Sequence, residues 1–195
     1  MQNNNITNFL QLPDLDVINL IQTEGLYIFI AQAKDKSVKC PDCSSTTDKL
    51  HDQRWQSIKD IPIRDNMVVI RLNKKRYRCN CCGKRGINEH YDSIDSYSRK
   101  TKRYDTYLTN ETISKNYTTV AKENNLSYTS IDNAVKKQVN PMIEEKTSKL
   151  KNAKSISLDE FSVLKKKKYT LVICDPISHE LIDILPQRNK ENIIE

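Results

Sequence analysis

Cys40-Pro41-Asp42-Cys43 and, thirty-odd residues on, Cys79-Asn80-Cys81-Cys82-Gly83 bracket the stretch that decides how this chain folds. A two-residue spacer lets both sulfurs of a pair turn toward one ion while backbone N–H groups bond to the thiolates. Two such pairs supply the four soft ligands of a tetrahedral zinc ion, so the spacing predicts a zinc ribbon with Cys40, Cys43, Cys79 and Cys82 as metal ligands and structural Zn2+ as cofactor. Cys81 is the surplus thiol, because Cys79 with Cys82 keeps the two-residue spacer and Cys79 with Cys81 does not. Gly83 suits the sharp turn after the second pair.

Between the pairs the pattern is that of strands. Gln56 to Ile63 and Met67 to Leu72 alternate in apolar character, offering Ile58, Ile61, Ile63, Val69 and Leu72 to a small core, and Lys74 to Cys79 reads as a third strand. So small a sheet buries too little to fold unaided, whereas a structural zinc site contributes on the order of 10 kcal/mol. Upstream, Val17 to Thr23, Glu24-Gly25 and Leu26 to Lys34 read as a hairpin that packs on the ribbon.

Composition agrees with several small units. Of the 195 residues only 37% are apolar and 29% are charged, too few apolar residues for one large core. The net charge of +7 is concentrated, since residues 64 to 104 hold twelve Lys/Arg against four Asp/Glu. Such a block is the electrostatic footprint of a nucleic-acid binder. The first ten residues lack the basic and apolar regions of a signal peptide, and the longest apolar stretch, near Leu26 to Ala33, is far shorter than the roughly 20 residues of a membrane span. A cytoplasmic protein without membrane contact is expected, where thiols stay reduced and bind metal.

From Thr118 to Val139 the period becomes helical. Val120, Ala121, Leu126, Ile131 and Ala134 fall where a helix-turn-helix places its internal residues, Asn124-Asn125 tolerates the left-handed conformation at the turn, and Ser127 stands at the N-cap of the second helix. Pro141 is expected to end that helix. A recognition helix so placed turns Tyr128, Thr129, Asp132 and Asn133 toward bases, with Asn133 suited to bond adenine bidentately, while Lys136, Lys137, Arg99, Lys100, Lys102 and Arg103 meet phosphates. A plain helical bundle with a solvated polar face is the alternative for this segment.

Ser155 to Ser162, Tyr169 to Asp175 and Glu180 to Leu185 read as three consecutive strands, with turns at Lys165 to Lys168 and Asp175 to Ser178. A ribonuclease-H-like sheet begins this way, and Asp159 stands mid-strand where its first metal ligand belongs. Glu160 points to the opposite face. The fold class expected is α+β multidomain: hairpin and β-rich zinc ribbon over 1–98, helix-turn-helix domain over 99–140, linker helix over 141–154, and the first strands of an incomplete ribonuclease-H-like α/β core over 155–195.

The order of these parts, from Cys40-Pro41-Asp42-Cys43 through Ile156-Ser157-Leu158-Asp159-Glu160 and Tyr169 to Arg188, resembles the ISL-three family of insertion-sequence transposases. The resemblance implies that the zinc ribbon and helix-turn-helix bind double-stranded DNA at the inverted-repeat ends of an element. It also implies an Asp-Asp-Glu core for strand cleavage and transfer, with Asp159 as its first acid and Mg2+ bound only by a complete core. The sequence stops at Glu195, before the family's second Asp and its Glu, so a truncated transposase, inactive alone, is expected; a homodimer is compatible with this reading. A non-enzymatic, zinc-dependent DNA-binding regulator is the alternative, with the C-terminal strands as a dimerisation or ligand module. Asp159 discriminates, since a regulator needs no acid there. A zinc ribbon that binds other proteins is a third reading.

Overall fold

The computed structural model describes residues 7, 9–150, 155–164 and 168–185. The chain divides into two compact units, 1–134 and 135–195.

In the first unit the strands are β1 (Leu15–Thr23), β2 (Leu26–Ala33), β3 (Val38–Lys39), β4 (Thr46–Thr47), β5 (Leu50–Ile63), β6 (Asn66–Tyr77) and β7 (Ile87–Asn88). The main sheet has the order β1-β2-β6-β5, with β7 added to β6. The upstream hairpin is therefore part of the sheet rather than a cover on it: β2 runs parallel to β6, from Leu26 beside Met67 to Gln32 beside Asn73. Two left-handed residues, Arg64 at φ 49° and Asp65 at φ 64°, make the tight β5–β6 turn, whose twist matches that of the strands it joins.

Two sequence expectations are corrected here. No break separates Leu72 from Lys74, so the expected third strand is the end of one continuous β6; Asn73 alone is no turn signal. Val69 also leaves the core, whose inward residues on β6 are Val68, Ile70 and Leu72. The run Met67-Val68-Val69-Ile70 is apolar on both faces and has no phase of its own; pairing with β5, Ile58 opposite Ile70, sets it. Leu10, Leu12, Leu15, Val17, Phe29, Ala31, Ala33, Tyr91 and Ile94 complete this core.

Three helices follow: α1 (Lys102–Ser114), α2 (Tyr117–Glu123) and α3 (Tyr128–Leu150). Thr101 caps α1 by accepting from the Tyr104 N–H, and Asn116 caps α2 by accepting from Thr119. A Schellman closure ends α2: Leu126 N–H bonds to Ala121 O at 2.8 Å and Asn125 N–H to Lys122 O at 3.2 Å, with Asn125 left-handed at φ 49°. Ser127 then caps α3, its hydroxyl accepting from the Ser130 N–H at 3.2 Å.

Pro141 does not stop α3, which runs through it to Leu150. A proline removes one helical hydrogen bond, but the carbonyl it frees belongs to Lys137, an exposed residue, and Met142, Glu144, Glu145 and Lys146 favour helix. Of the expected linker helix, 151–154 lie outside the described residues.

The second unit holds β8 (Ser157–Leu164), β9 (Lys168–Cys174) and β10 (Leu181–Leu185) in an antiparallel sheet of order β10-β9-β8. Asp175 builds the β9–β10 turn, its carboxylate accepting from the N–H groups of Ile177 at 2.7 Å and Ser178 at 3.3 Å, and those bonds hold its pKa below the usual value. The turn expected at Lys165 to Lys168 falls largely outside the described residues, as does everything after Leu185. Among the described residues no helix is long and apolar enough to cross a membrane.

Candidate metal centre and nucleic-acid interface

The two cysteine knuckles repeat one backbone design. Cys40 N–H donates to Ser45 O at 2.9 Å and Cys79 N–H to Lys84 O at 2.7 Å, each bond closing a loop over the second cysteine. The residue after that cysteine is left-handed in both, Ser44 at φ 59° and Gly83 at φ 75°. β3 with β4 presents the first knuckle, and the end of β6 with β7 presents the second.

The result is a cluster in which the sulfurs of Cys40, Cys43, Cys79 and Cys82 all lie within 4.8 Å of one another. Cys40 to Cys82 and Cys43 to Cys79 are each 3.5 Å apart, close to the roughly 3.8 Å edge that Zn–S bonds of about 2.3 Å give a tetrahedron. Donor type, number and spacing all fit zinc. Cys81 is exposed and is not one of the four, although its thiol lies beside that of Cys43.

Ser45, which carries no ligand spacing and escaped the sequence reading, shapes the site. Its hydroxyl lies 2.9 Å from Cys43 Sγ and 3.3 Å from Cys79 Sγ. That hydroxyl, followed by the Cys82 N–H, draws the Cys79 thiol down to about 6, and Ser45 lowers Cys43 as well. On Cys82 the Lys84 N–H favours the thiolate, but the adjoining Cys40 thiol and burial outweigh it and push the pKa up to about 12. Ser45 therefore favours the thiolate form of Cys79 and Cys43, and a zinc ion held by the four cysteines would displace their protons. Lys84 also crosses between knuckles to Asp42 at 2.8 Å.

Of the residues expected to face DNA, those on α3 share an open surface. Tyr128, Thr129, Asn133, Lys136 and Lys137 are exposed, whereas Ile131 and Ala134 are buried. Thr129, Asn133 and Lys136 with Lys137 follow one another at helical spacing and form a single stripe. The Tyr128 ring packs 5.5 Å from that of Tyr117.

The four cations before and at the start of α1 divide. Arg99 is exposed and Lys102 is half-exposed beside Asp95 at 3.6 Å. Lys100 pairs with the buried Asp105 at 2.7 Å. Arg103 donates through Nε to Asp60 at 2.8 Å, through a second guanidinium nitrogen to the other oxygen of Asp60, and to Leu10 O at 2.8 Å. Both side chains use their charge inside the protein.

Lys59, unremarkable in an alternating strand, donates to Asn124 O at 3.0 Å and Asn125 O at 2.7 Å, fastening the α2–α3 turn to the sheet. Burial lowers its pKa. Nothing local in the sequence marks that long-range contact.

Asp159 is exposed on β8 opposite Val172. Glu160 lies opposite Leu171, on the other face as period two requires. Among the described residues the four cysteines are the one group of three or more potential ligands close enough to share an ion, so the residues present do not fit a two-magnesium centre.

A cluster of four cysteines at the end of a basic sheet is the arrangement of a zinc ribbon. Residues 36–82 match the family described as the zinc-finger of transposase IS204/IS1001/IS1096/IS1165. The transposase for insertion sequence element IS1001 of Bordetella parapertussis is 26% identical over 157 residues, which cover 80% of this chain and 38% of that protein. No solved structure matches at a significant level. The chain thus resembles the ISL-three transposases along most of its length and spans under half the length of the relative it matches.

Proposed function

We propose that this chain is the DNA-recognising part of an ISL-three-type insertion-sequence transposase. The α2-turn-α3 unit acts as a helix-turn-helix: Thr129 and Asn133 meet base edges in the major groove, and Lys136 and Lys137 meet phosphates. The observation that carries this reading is the single exposed stripe on α3, beginning immediately after a Schellman turn and a serine cap. The kinship with an insertion-sequence transposase supports the ends of such an element as the target. The zinc ribbon holds the end of the sheet in shape, and Arg99 and Lys102 add phosphate contacts.

Asp159 has the mid-strand, exposed position suited to a first catalytic acid. Among the described residues Asp159 belongs to no group of three potential ligands, and DNA binding is the activity proposed here.

The test is fluorescence anisotropy of the zinc-loaded chain on duplexes selected from a randomised pool, followed by comparison of the selected sequence with insertion-element ends. Enrichment of one sequence supports the reading. A chain that binds no duplex, or binds all equally, overturns it.

A further inference from the structure

Arg54 on β5 stands directly opposite Lys74 on β6, an arrangement that repels in a sheet. They lie on the core side of the sheet, in the phase of Ile58, Ile70 and Leu72, but beyond the core's end. There residues 88–97 fold back and leave a cleft lined by the cations Arg54, Lys74, Arg76 and Lys102 against the carboxylates Glu89 and Asp95; Lys75 lines it too, but its ammonium lies on the opposite face of the strand, 3.4 Å from Gln32 Oε1.

Internal pairing does not account for these cations. Among the described residues no hydrogen bond or ion pair engages the Arg54 side chain, and the Lys74 ammonium sits 5.3 Å over the Tyr91 ring. Glu89 is occupied: it accepts from Tyr77 Oη at 3.0 Å, from the Lys75 N–H at 2.8 Å and from the Tyr91 hydroxyl. Arg76 reaches Asp52 only at 3.5 Å and Lys102 reaches Asp95 at 3.6 Å, in partly exposed pairs of the kind worth little in water.

A second, independent sign is at the mouth of the cleft. Tyr97 lines it, is 93% exposed, and is held left-handed at φ 61°. An aromatic residue kept in a disfavoured backbone state with its side chain in water serves no packing, and such outliers gather where ligands bind.

We infer that this cleft grips the phosphate backbone of duplex DNA, as a contact additional to α3. An anionic oxygen between Arg54 and Lys74 turns the cross-strand repulsion into two attractions, with Tyr97 positioned to donate a hydrogen bond at the rim. The inference rests on the DNA-binding reading, and the partner is the sequence-independent sugar-phosphate chain, not base edges.

The experiment measures binding of the zinc-loaded full chain to a labelled random-sequence duplex over a range of salt, for the wild type, R54A/K74A and Asn133→Ala. Losing two phosphate contacts should reduce the slope of log K against log salt by about 1.8 in R54A/K74A, while preference for the selected sequence stays unchanged. Asn133→Ala should do the reverse. Because the two cations repel, the double variant is expected to keep its zinc and its melting temperature; a fall in either overturns the inference by giving the pair a folding role. An unchanged slope with wild-type binding intact overturns the cleft alone. A wild type that binds no duplex overturns the proposed function and the cleft together.

Discussion

The Arg103 guanidinium forks onto the carboxylate of Asp60, whose side chain is fully buried. The Thr101 hydroxyl donates to the same carboxylate at 2.6 Å while accepting from the Tyr104 N–H at 3.2 Å. Lys59 N–H donates to Arg99 O at 2.9 Å and Thr101 N–H to Lys59 O at 3.0 Å. β5 is a sheet edge, and these bonds cover part of it with the segment that leads into α1. The sheet and the helical segment therefore share one polar seam.

Cutting that seam should be costly. Arg103→Ala leaves a buried carboxylate without its charge partner, and a loss of about 3 to 5 kcal/mol is expected, read by urea unfolding of the zinc-loaded chain. Lys102→Ala, which removes only a partly exposed pair, should change stability by less than about 1 kcal/mol. Equal effects would show that Asp60 finds another partner.

Cys79→Ser should abolish stoichiometric zinc binding, and Cys81→Ser should leave it intact, as measured by metal analysis after gel filtration. The loss of structure should be local. Cys40, Tyr77, Cys79 and Ile87 form a cluster separate from the main core, so the knuckles should exchange their amide protons rapidly while Phe29 and Ile70 stay protected. Full retention of zinc by Cys79→Ser would remove the metal assignment.

Base recognition by α3 is tested by Asn133→Ala, which should cut the discrimination between selected and scrambled duplexes by about 1 to 3 kcal/mol. Lys136→Ala should weaken both equally and lower the salt slope by about one. If Asn133→Ala weakens both duplexes alike, the amide holds backbone rather than base.

Alkali should unfold the helical segment. Burial raises the Tyr104 pKa, and its hydroxyl donates to Asn124 Oδ1 at 3.0 Å, which a phenolate cannot do. Burial, reinforced by Glu89, likewise raises Tyr77 to about 12. A pKa raised on folding stabilises fully below the unfolded value of about 10 and is lost as pH climbs through the folded one. Of the nine tyrosines, a late-titrating class should therefore ionise together with the loss of near-ultraviolet dichroism. Tyr104→Phe should remove part of that class and cost about 1 to 3 kcal/mol at neutral pH by leaving Asn124 Oδ1 unpaired.

What the sequence determined by itself was whatever depends on residue type at short range. Cys40, Cys43, Cys79 and Cys82 were legible because two-residue spacing is a property of the local chain; Asn125 and Ser127 were legible because a left-handed turn and an N-cap are local chemistry. Asp159 and Glu160 were assigned opposite faces for the same reason. Tertiary structure decided everything that joins distant segments. β2 runs parallel to β6 across more than thirty residues, and no local pattern encodes which strands will pair. Val68 rather than Val69 points inward because the pairing partner sets the phase of an apolar run. Arg103 reads as a phosphate contact and Lys59 draws no expectation, yet the fold brings them to Asp60 and to the Asn124 and Asn125 carbonyls. A charge in sequence has no address; burial of its partner supplies one.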